Sequence, residues 1–278
     1  MTFAIVITTS GKENIESLIN NIKDIGYTIY IVTPDIINIK GNNIKTINDL
    51  GIGKPTALNL AFKKIEEDIV ILTDGDVYVS KESIKSIVKL FDDQTGLISG
   101  KVISLNDKKT ILGFWSHFLV FAADKMREKQ YKNNQFFEAT GYLYAVRKSL
   151  IKEIPKDILS EDGFISYIIY KSEYKMKYDK NALVYVKFPK TFSDWIRQKR
   201  RSAGGYKQKY IDETNRSFLK EAYLGISLFF IYPKNIKEYF YLLLLFLARI
   251  YLWIKIFIDL KIRKLTFEKI WVRVESTK

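Results

Sequence analysis

Short apolar runs alternate with segments of helical periodicity over the N-terminal third of the chain, and this alternation restricts the possible folds. The runs Phe3–Ile7, Tyr27–Val32 and Ile69–Leu72 each fit a buried strand. Between them, Asn14–Ile25 and Pro55–Ile65 place apolar residues three or four positions apart, as an amphipathic helix does. This order predicts an α/β domain built on a Rossmann-like sheet whose first strands are parallel.

The pattern changes from about Leu97 onward. Further strands are predicted at Leu97–Ile103, Gly141–Arg147 and Ala182–Phe188, mixed with helical stretches. We therefore expect a mixed sheet flanked by helices, in a domain that covers residues 1–210.

Residues 211–278 are the most hydrophobic part of the chain, and we expect them to form helices that associate with a membrane. Tyr239–Ile258 has about the 20 residues that a bilayer core requires, but Arg249 and Lys255 interrupt it. Leu219–Tyr232 is too short to cross alone. One tilted span, a helical hairpin in the membrane interface and an oligomer interface all remain open, and the basic residues favour the interfacial hairpin.

Composition limits the chemistry of any site. The 278 residues carry a net charge of +14, which calls for an anionic partner such as a nucleotide diphosphate, a nucleic acid or an anionic membrane. There is no cysteine and only one histidine, so thiolate and multi-histidine metal sites are excluded. Oxygen ligands for a hard cation, Mg²⁺ or Mn²⁺, remain. The histidine, His117, stands among aromatic residues and is expected to be a packed residue.

Two carboxylates one residue apart follow the third predicted strand, in Asp74-Gly75-Asp76. In open α/β sheets, ligands bind beyond the carboxyl ends of the strands, where Thr8–Gly11 and Asp35 are also expected. Hard cations prefer carboxylate oxygens, so the turn is a candidate metal site. An ordinary turn is the alternative, because Asp and Gly are common turn residues. Its position directly after a buried strand favours the metal site.

A second acidic pair, Glu161 and Asp162, follows Ser160 and precedes a helical stretch. Ser160 fits a helix N-cap and acidic side chains favour the first turn, so the pair also suits a simple helix start. A carboxylate in this position is equally suited to be a general base that removes a hydroxyl proton. The two interpretations are compatible, because a capped helix end would hold the base in place.

A basic segment, Arg197–Arg201, lies before the hydrophobic tail. Guanidinium groups bind phosphate oxygens in pairs, so Arg200 and Arg201 are candidates to hold a diphosphate, and Lys54 is a third cation suited to this role. A solvated basic face or a membrane-surface patch is the alternative.

Five segments in a fixed order carry a family resemblance. Gly53–Ala61 reads GKPTALNLA and is followed by Asp68–Val77, which contains the acidic turn. Downstream come Ala139–Lys148 (ATGYLYAVRK), Ser160–Asp162 and Gln198–Arg201. Together they resemble the G-K-x-x-A-L-N, aspartate-turn, T-G-x-x-x-A-x-R-R, E-D and Q-x-x-R-W motifs of the family 2 glycosyltransferases of GT-A fold, including membrane-associated synthases.

The resemblance covers about residues 1–205. It implies a metal-dependent, inverting transfer of a sugar from a UDP- or GDP-sugar to a hydroxyl or phosphate acceptor, with Asp162 as the general base and Glu161 in support. Asp74 and Asp76 would bind the Mg²⁺ or Mn²⁺ ion. The residues expected to contact the donor are Thr8, Asp35, Lys54, Asp74, Asp76, Arg200 and Arg201. Those expected to contact the acceptor are Thr140 and Gly141.

The chain departs from the family pattern in three places. Ser202 replaces the tryptophan of the Q-x-x-R-W motif, which weakens any expectation of processive synthesis. Thr8–Glu13 replaces the P-x-Y-N-E loop and Thr33–Ile36 replaces the D-D-G-S segment, so the base and the sugar of the donor are left open.

Two other functions have to be weighed. A nucleotidyltransferase acting on sugar phosphates would share the sheet and the acidic metal ligands, but the E-D and basic segments argue against it. A basic nucleic-acid or membrane-binding module would explain the charge, yet no nucleic-acid motif accompanies the scattered basic residues. We therefore expect no nucleic-acid partner. The N-terminal run has no basic residues before it and no cleavage site, so the catalytic domain is expected on the cytoplasmic side. With the hydrophobic tail, a lipid-linked or saccharide acceptor is expected.

Overall fold

The computed structural model describes residues 1–10, 15–37, 39, 41–158, 160–205 and 228–263. The chain divides into two compact units. Unit 1 comprises Met1–Ile103 and Arg127–Val186, and unit 2 comprises Ser104–Met126 and Lys187–Lys278. The predicted domain boundary at residue 210 lies outside the described residues.

Unit 1 is built on one mixed sheet of eight strands in the order β3-β2-β1-β4-β7-β6-β8-β5. The strands are β1 (Phe3–Thr8), β2 (Thr28–Thr33), β3 (Ile44–Asn48), β4 (Ile69–Asp74), β5 (Tyr78–Val79), β6 (Thr95–Ser104), β7 (Leu143–Arg147) and β8 (Lys175–Val186).

The parallel part of the sheet agrees with the prediction from the apolar runs. Strands β1, β2, β3 and β4 are mutually parallel, and the apolar residues of β1 and β4 are almost completely buried. Strand β7 then pairs antiparallel to β4 and to β6, which makes the sheet mixed, as expected. Thr8 is opposite Asp74 in the register of β1 and β4, so both strands end at the same edge.

The helices are α1 (Ile15–Ile22), α2 (Lys54–Lys64), α3 (Lys81–Leu90), α4 (Ile111–Lys132), α5 (Glu161–Tyr170), α6 (Phe192–Gly205) and α7 (Ile236–Phe257). Helix α1 buries four apolar residues at helical spacing, and α2 buries Ala57, Leu58 and Ala61 on one face. These positions are the ones that the sequence periodicity selects.

Strands β3 and β5 are not evident in the sequence. In β3 only Ile47 is buried, because the strand lies at the edge of the sheet and has no continuous apolar run. Strand β5 has two residues, Tyr78 and Val79, which are too few for any alternation to appear. Both strands exist because a neighbouring strand supplies backbone partners.

The core of unit 2 consists of residues from α4, α6 and α7. Phe114, Trp115 and Phe118 are buried there, so the aromatic stretch of the sequence forms packing surface. The Trp115 indole donates a hydrogen bond to the Tyr241 carbonyl at 2.7 Å. A ring nitrogen of His117 lies 2.8 Å from the Asn106 carbonyl oxygen, which fits the packed residue that was expected.

Helix α7 is apolar on every side. Its inner face buries Leu242, Leu245 and Leu252, whereas Leu243 and Leu247 on the other side are about half exposed. Among the described residues it is the one helix long and apolar enough to cross a bilayer, with a mean hydropathy of 1.9. A helix that is apolar all round is typical of a protein interior or a membrane contact. Of the shorter apolar segment predicted at 219–232, the structure describes only residues 228–232.

The close approach of strands at Gly100 in β6 leads to a stability prediction. A Cβ at this position would be 2.7 Å from the backbone carbonyl oxygen of Ala182, which cannot rotate away. We expect Gly100→Ala to lower the free energy of unfolding by about 2 kcal/mol, measured by urea denaturation. Gly41→Ala is the control, since its Cβ would meet only the mobile end of the Ile44 side chain. Equal stability of the two variants would contradict the prediction.

Candidate active site

The carboxyl ends of β1 and β4 form one edge of the site. The Thr8 hydroxyl donates a hydrogen bond to Asp74 Oδ1 at 3.3 Å, and the Gly75 N–H donates to the Thr8 carbonyl at 3.0 Å. Asp35 follows β2 at the same edge, and its N–H donates to the Thr33 hydroxyl at 3.1 Å. Thr8 and Asp74 are thus the last residues of β1 and β4, and Asp35 follows β2, all at the edge of the sheet where the sequence places them. Contact of these residues with a ligand remains a prediction.

The two carboxylates of the acidic turn lie in different environments. Asp74 is partly buried, with 25% of its side chain exposed, whereas Asp76 is exposed. Between them, a Cβ on Gly75 would lie 2.7 Å from the Thr9 Cβ, so the close turn requires glycine. Asp74 is thus fixed by the protein while Asp76 faces the solvent.

Lys54 connects the two acidic motifs. It is the first residue of α2 and follows Gly53, whose φ of 121° favours glycine. Its ammonium Nζ lies 2.7 Å from Asp74 Oδ1 and 2.8 Å from Glu161 Oε1. Burial alone would lower the pKa of Lys54, but the Asp74 and Glu161 carboxylates outweigh it and raise the pKa well above its usual value. The Lys54 ammonium therefore pairs with one carboxylate of the acidic turn, Asp74, and with one of the second acidic pair, Glu161.

Asp162 has the environment of a basic carboxylate. Its Oδ1 accepts hydrogen bonds from the Ser160 hydroxyl at 2.7 Å and the Gly163 N–H at 3.0 Å. Burial and the adjacent Glu161 charge raise the pKa of Asp162 to about 6, although the hydrogen bond from Ser160 opposes the shift. Ser160 is the N-cap residue of α5, as predicted, but its hydroxyl donates to the Asp162 carboxylate and makes no hydrogen bond to a helix N–H.

The T-G segment lies against Asp162. Thr140 is buried, and its N–H donates to the Ser99 hydroxyl at 3.0 Å. A Cβ on Gly141 would be 2.8 Å from Asp162 Oδ2. Gly141 therefore provides the space that the carboxylate occupies, which gives a steric reason for glycine in this motif.

Tyr144 belongs to the site although its sequence context, an apolar strand, indicates only core packing. It is fully buried on β7, and its hydroxyl has no hydrogen-bond partner within the described part of the chain. Burial raises the pKa of this hydroxyl well above its usual value; the Lys54 charge opposes the shift, and the charges of Glu161 and Asp162 add to it. The phenol is therefore held neutral, within the electrostatic influence of the acidic groups.

The basic segment lies in unit 2. Arg200 on α6 forms an ion pair with Asp259, whose side chain is 2% exposed, so this guanidinium has a structural partner there. The side chain of Arg201 is outside what the structure describes. Burial and the charge of Arg249 lower the pKa of Lys199 to about 8. Contact of Arg200 and Arg201 with a donor remains a prediction.

The oxygen donors fit a metal that is shared with a ligand better than one enclosed by protein. No cluster of three or more His, Asp or Glu side chains suited to a metal occurs among the described residues. Asp76 offers an exposed carboxylate, and Asp74 has one oxygen engaged by Lys54 and Thr8. Mg²⁺ commonly takes one or two carboxylates and completes its shell with water and substrate phosphates. The acidic turn meets that requirement.

The two contacts of Lys54 predict a measurable stability effect. Lys54→Met would leave Asp74 and Glu161, which are 25% and 12% exposed, without their cation. We expect a loss of about 2 kcal/mol in the free energy of unfolding, measured by urea denaturation at pH 7.

The matched control is Lys132→Met. Lys132 pairs with Glu128 on the surface of α4 and is 69% exposed. Its loss should change stability by less than about 0.5 kcal/mol. If both variants were equally stable, the Lys54 contacts would contribute nothing to the stability of the fold.

Comparison with known proteins agrees with this arrangement. Residues 36–205, more than half of the chain, match the family model described as glycosyltransferase like family 2. YdaM, a probable glycosyltransferase of Bacillus subtilis (strain 168), is 26% identical over 161 residues, 56% of this chain and 38% of the relative. The poly-beta-1,6-N-acetyl-D-glucosamine synthase of Staphylococcus aureus (strain COL) is 25% identical over 181 residues, 62% of this chain and 43% of the relative. The chain spans less than half the length of these curated relatives.

A solved structure shows the same fold. The mannosyltransferase PcManGT from Pyrobaculum calidifontis, in complex with GDP-Man and Mn²⁺, matches with a TM-score of 0.53 and 18% identity. The match covers 82% of this chain and 71% of that chain, and it identifies the architecture as GT-A. From the fold, the order of the motifs and the family match, we conclude that the chain belongs to the family 2-like glycosyltransferases.

Proposed function

We propose that this chain transfers a sugar, with inversion, from a nucleotide-diphosphate sugar to a hydroxyl or phosphate acceptor. The observation that carries the proposal is the Lys54 ammonium between Asp74 and Glu161, since it joins the acidic turn to the segment that holds Asp162. A general base and a diphosphate-binding edge thereby occur in one compact unit. These are the two groups that an inverting sugar transfer requires.

Asp162 acts as the general base. With a pKa of about 6 it is ionised at neutral pH, yet it binds a proton more readily than an ordinary aspartate. Its Oδ1 is fixed by Ser160 and Gly163, which orients the carboxylate toward one position of the acceptor. It removes the acceptor proton as the acceptor oxygen forms its bond to the anomeric carbon and the diphosphate leaves. Glu161 supports this geometry through its contact with Lys54.

The donor lies along the acidic turn. In this proposal Lys54 and Thr8 contact the diphosphate, Asp35 contacts the base, and Thr140 and Gly141 lie on the acceptor side. Mg²⁺ or Mn²⁺, when bound through Asp76 and Asp74, supplies positive charge that stabilises the diphosphate leaving group. The matching mannosyltransferase is bound to GDP-Man and Mn²⁺, which supports a nucleotide sugar and a divalent metal here. Arg200 and Arg201 are proposed as further diphosphate contacts.

We place the reaction at a membrane surface, with the catalytic domain (residues 1–210) on the cytoplasmic side and residues 211–278 as the membrane-associating region. Helix α7 supports this, because its outer face exposes Phe240, Leu243 and Leu247 while its inner face packs in unit 2. One packed face and one exposed apolar face favour a helix in the interface over a free span. A lipid-linked acceptor follows naturally, and a saccharide acceptor is the alternative.

The exposed carboxylate of Asp76 gives the first test of function. A panel of UDP- and GDP-sugars is screened for nucleoside diphosphate release with Mn²⁺ or Mg²⁺, and for stabilisation against heat with and without metal. We expect Asp76→Asn to abolish the metal-dependent stabilisation by the accepted donor and to lower turnover at least about 100-fold.

The control is Asp93→Asn, which changes another exposed aspartate outside the site. It should behave as the wild type. Full donor turnover by Asp76→Asn with every accepted donor would show that the acidic turn does not serve the reaction.

The raised pKa of Asp162 gives the second test. Transfer should increase as the pH rises through about 6 and then level off, since only the ionised carboxylate accepts a proton. Asp162→Asn should lower the rate at least about 100-fold. Gly141→Ala should also lower it about 100-fold by displacing the carboxylate.

A lower rate of Asp162→Asn would not be caused by unfolding of this variant. The pKa of Asp162 in the folded protein is above that of an unfolded aspartate, so its contribution to stability falls as the pH rises from about 4 to 6. Asp162→Asn should therefore be at least as stable as the wild type at pH 7. A pH profile that is flat between 5 and 8, with a fully active Asp162→Asn, would exclude Asp162 as the base.

A further inference from the structure

Unit 2 contains a cleft of about 970 Å³ that the sugar-transfer site does not use. Its lining residues come from the segment 105–115, which ends in the first turns of α4, from the segment 187–192, and from one side of α7. All lining residues belong to unit 2. Pockets of about 300–1,000 Å³ are typical of small-molecule sites.

The lining is mainly hydrocarbon. Trp115 and Phe192 come from α4 and α6, and Leu244, Leu247 and Tyr251 come from α7. The polar atom of Trp115 is already satisfied by the Tyr241 carbonyl, so its ring contributes apolar surface. Phe192, Leu247 and Tyr251 are each about half exposed, so an apolar ligand would remove this surface from water.

Positive charge lies at the same cleft. Lys187 and Lys190 are exposed lining residues, separated by two positions in the segment between β8 and α6. The one acidic lining residue, Asp107, accepts a hydrogen bond from the Lys109 N–H at 2.9 Å within its own turn. The net charge of the lining is therefore positive, which suits an anionic group such as a phosphate.

The cleft is also continuous with the apolar outer face of α7. Leu247 and Tyr251 line the cleft and belong to the exposed face that includes Leu243 and Phe246. A ligand with a long hydrocarbon chain would thus reach the cleft along an apolar surface.

We propose that this cleft binds the hydrocarbon chain of a lipid with a phosphate head group, and that Lys187 and Lys190 bind the phosphate. Lipid binding at this cleft does not depend on the proposed sugar transfer, because all of its lining residues belong to unit 2. The chemical class is an isoprenoid or similar single-chain phosphate, since the cleft combines one apolar trough with one pair of cations.

Binding is measured on the full chain in a neutral detergent, without nucleotide sugar or metal. The probes are farnesyl phosphate, farnesol and inorganic phosphate, and the readouts are tryptophan fluorescence and thermal stability. We expect farnesyl phosphate to bind at least tenfold more tightly than farnesol, and inorganic phosphate not to bind measurably.

Two pairs of variants separate the apolar and charged contributions. The double variant Lys187→Gln/Lys190→Gln should weaken the binding of farnesyl phosphate at least tenfold and leave the binding of farnesol unchanged. The control Lys234→Gln/Lys237→Gln removes the same charge outside the cleft and should change neither. Leu247→Trp should fill the cleft and abolish binding of both lipids. Leu243→Trp is its control, on an equally exposed residue of α7 that does not line the cleft.

The proposal is overturned if farnesyl phosphate does not bind, or if it binds Leu247→Trp as it binds the wild type. Equal affinity for farnesol and farnesyl phosphate would also overturn it. So would the finding that a second copy of the protein or another segment of the chain covers the cleft. Failure of the proposed function looks different. If the protein binds farnesyl phosphate but releases no nucleoside diphosphate, the lipid site is supported and the proposed sugar transfer is wrong. If it glycosylates a lipid-free acceptor but does not bind farnesyl phosphate, the sugar transfer is supported and the lipid site is wrong.

Discussion

The candidate active site depends on one ammonium group held by two carboxylates. Lys54 lies at the start of α2, Asp74 at the end of β4 and Glu161 at the start of α5, so three elements distant in sequence meet at a single cation. Without it, two partly buried carboxylates would lose a shared cation, which is unfavourable for charges removed from water. The neighbouring Asp162 has its pKa raised by burial and by the Glu161 charge; the hydrogen bond from Ser160 and, to a smaller extent, the Lys54 charge oppose that shift.

Much of the fold could be predicted because the central parallel strands of the sheet are apolar on both faces. Buried parallel strands such as β1 and β4 appear as continuous apolar runs, and the helices between them bury one periodic face. Edge strand β3 carries no such signal, because its pairing comes from β2 and not from its own side chains. The long helix α4 was also not evident, since aromatic residues suit helices and strands alike.

For the site, local motifs identified the residue types but not their partners. The acidic turn, Lys54 and Asp162 were recognisable from the sequence, and the structure brings them into one unit. That Lys54 pairs with both acidic motifs depends on the sheet order, which no local spacing encodes. Ser160 illustrates the same limit: a helix start and a hydrogen bond to Asp162 use the same residue type, and only coordinates distinguish them. Tyr144 carries a hydroxyl in an apolar strand and therefore resembles ordinary core.

The space beside Gly141 has a consequence for substitutions at this position. The carboxylate of Asp162 occupies the volume where any other residue at position 141 would place its first side-chain carbon. Under the proposed function, any larger residue at position 141 would have to displace the carboxylate that acts as the base. A change at this one backbone position would then act on the rate of transfer without touching the residues proposed to bind the donor.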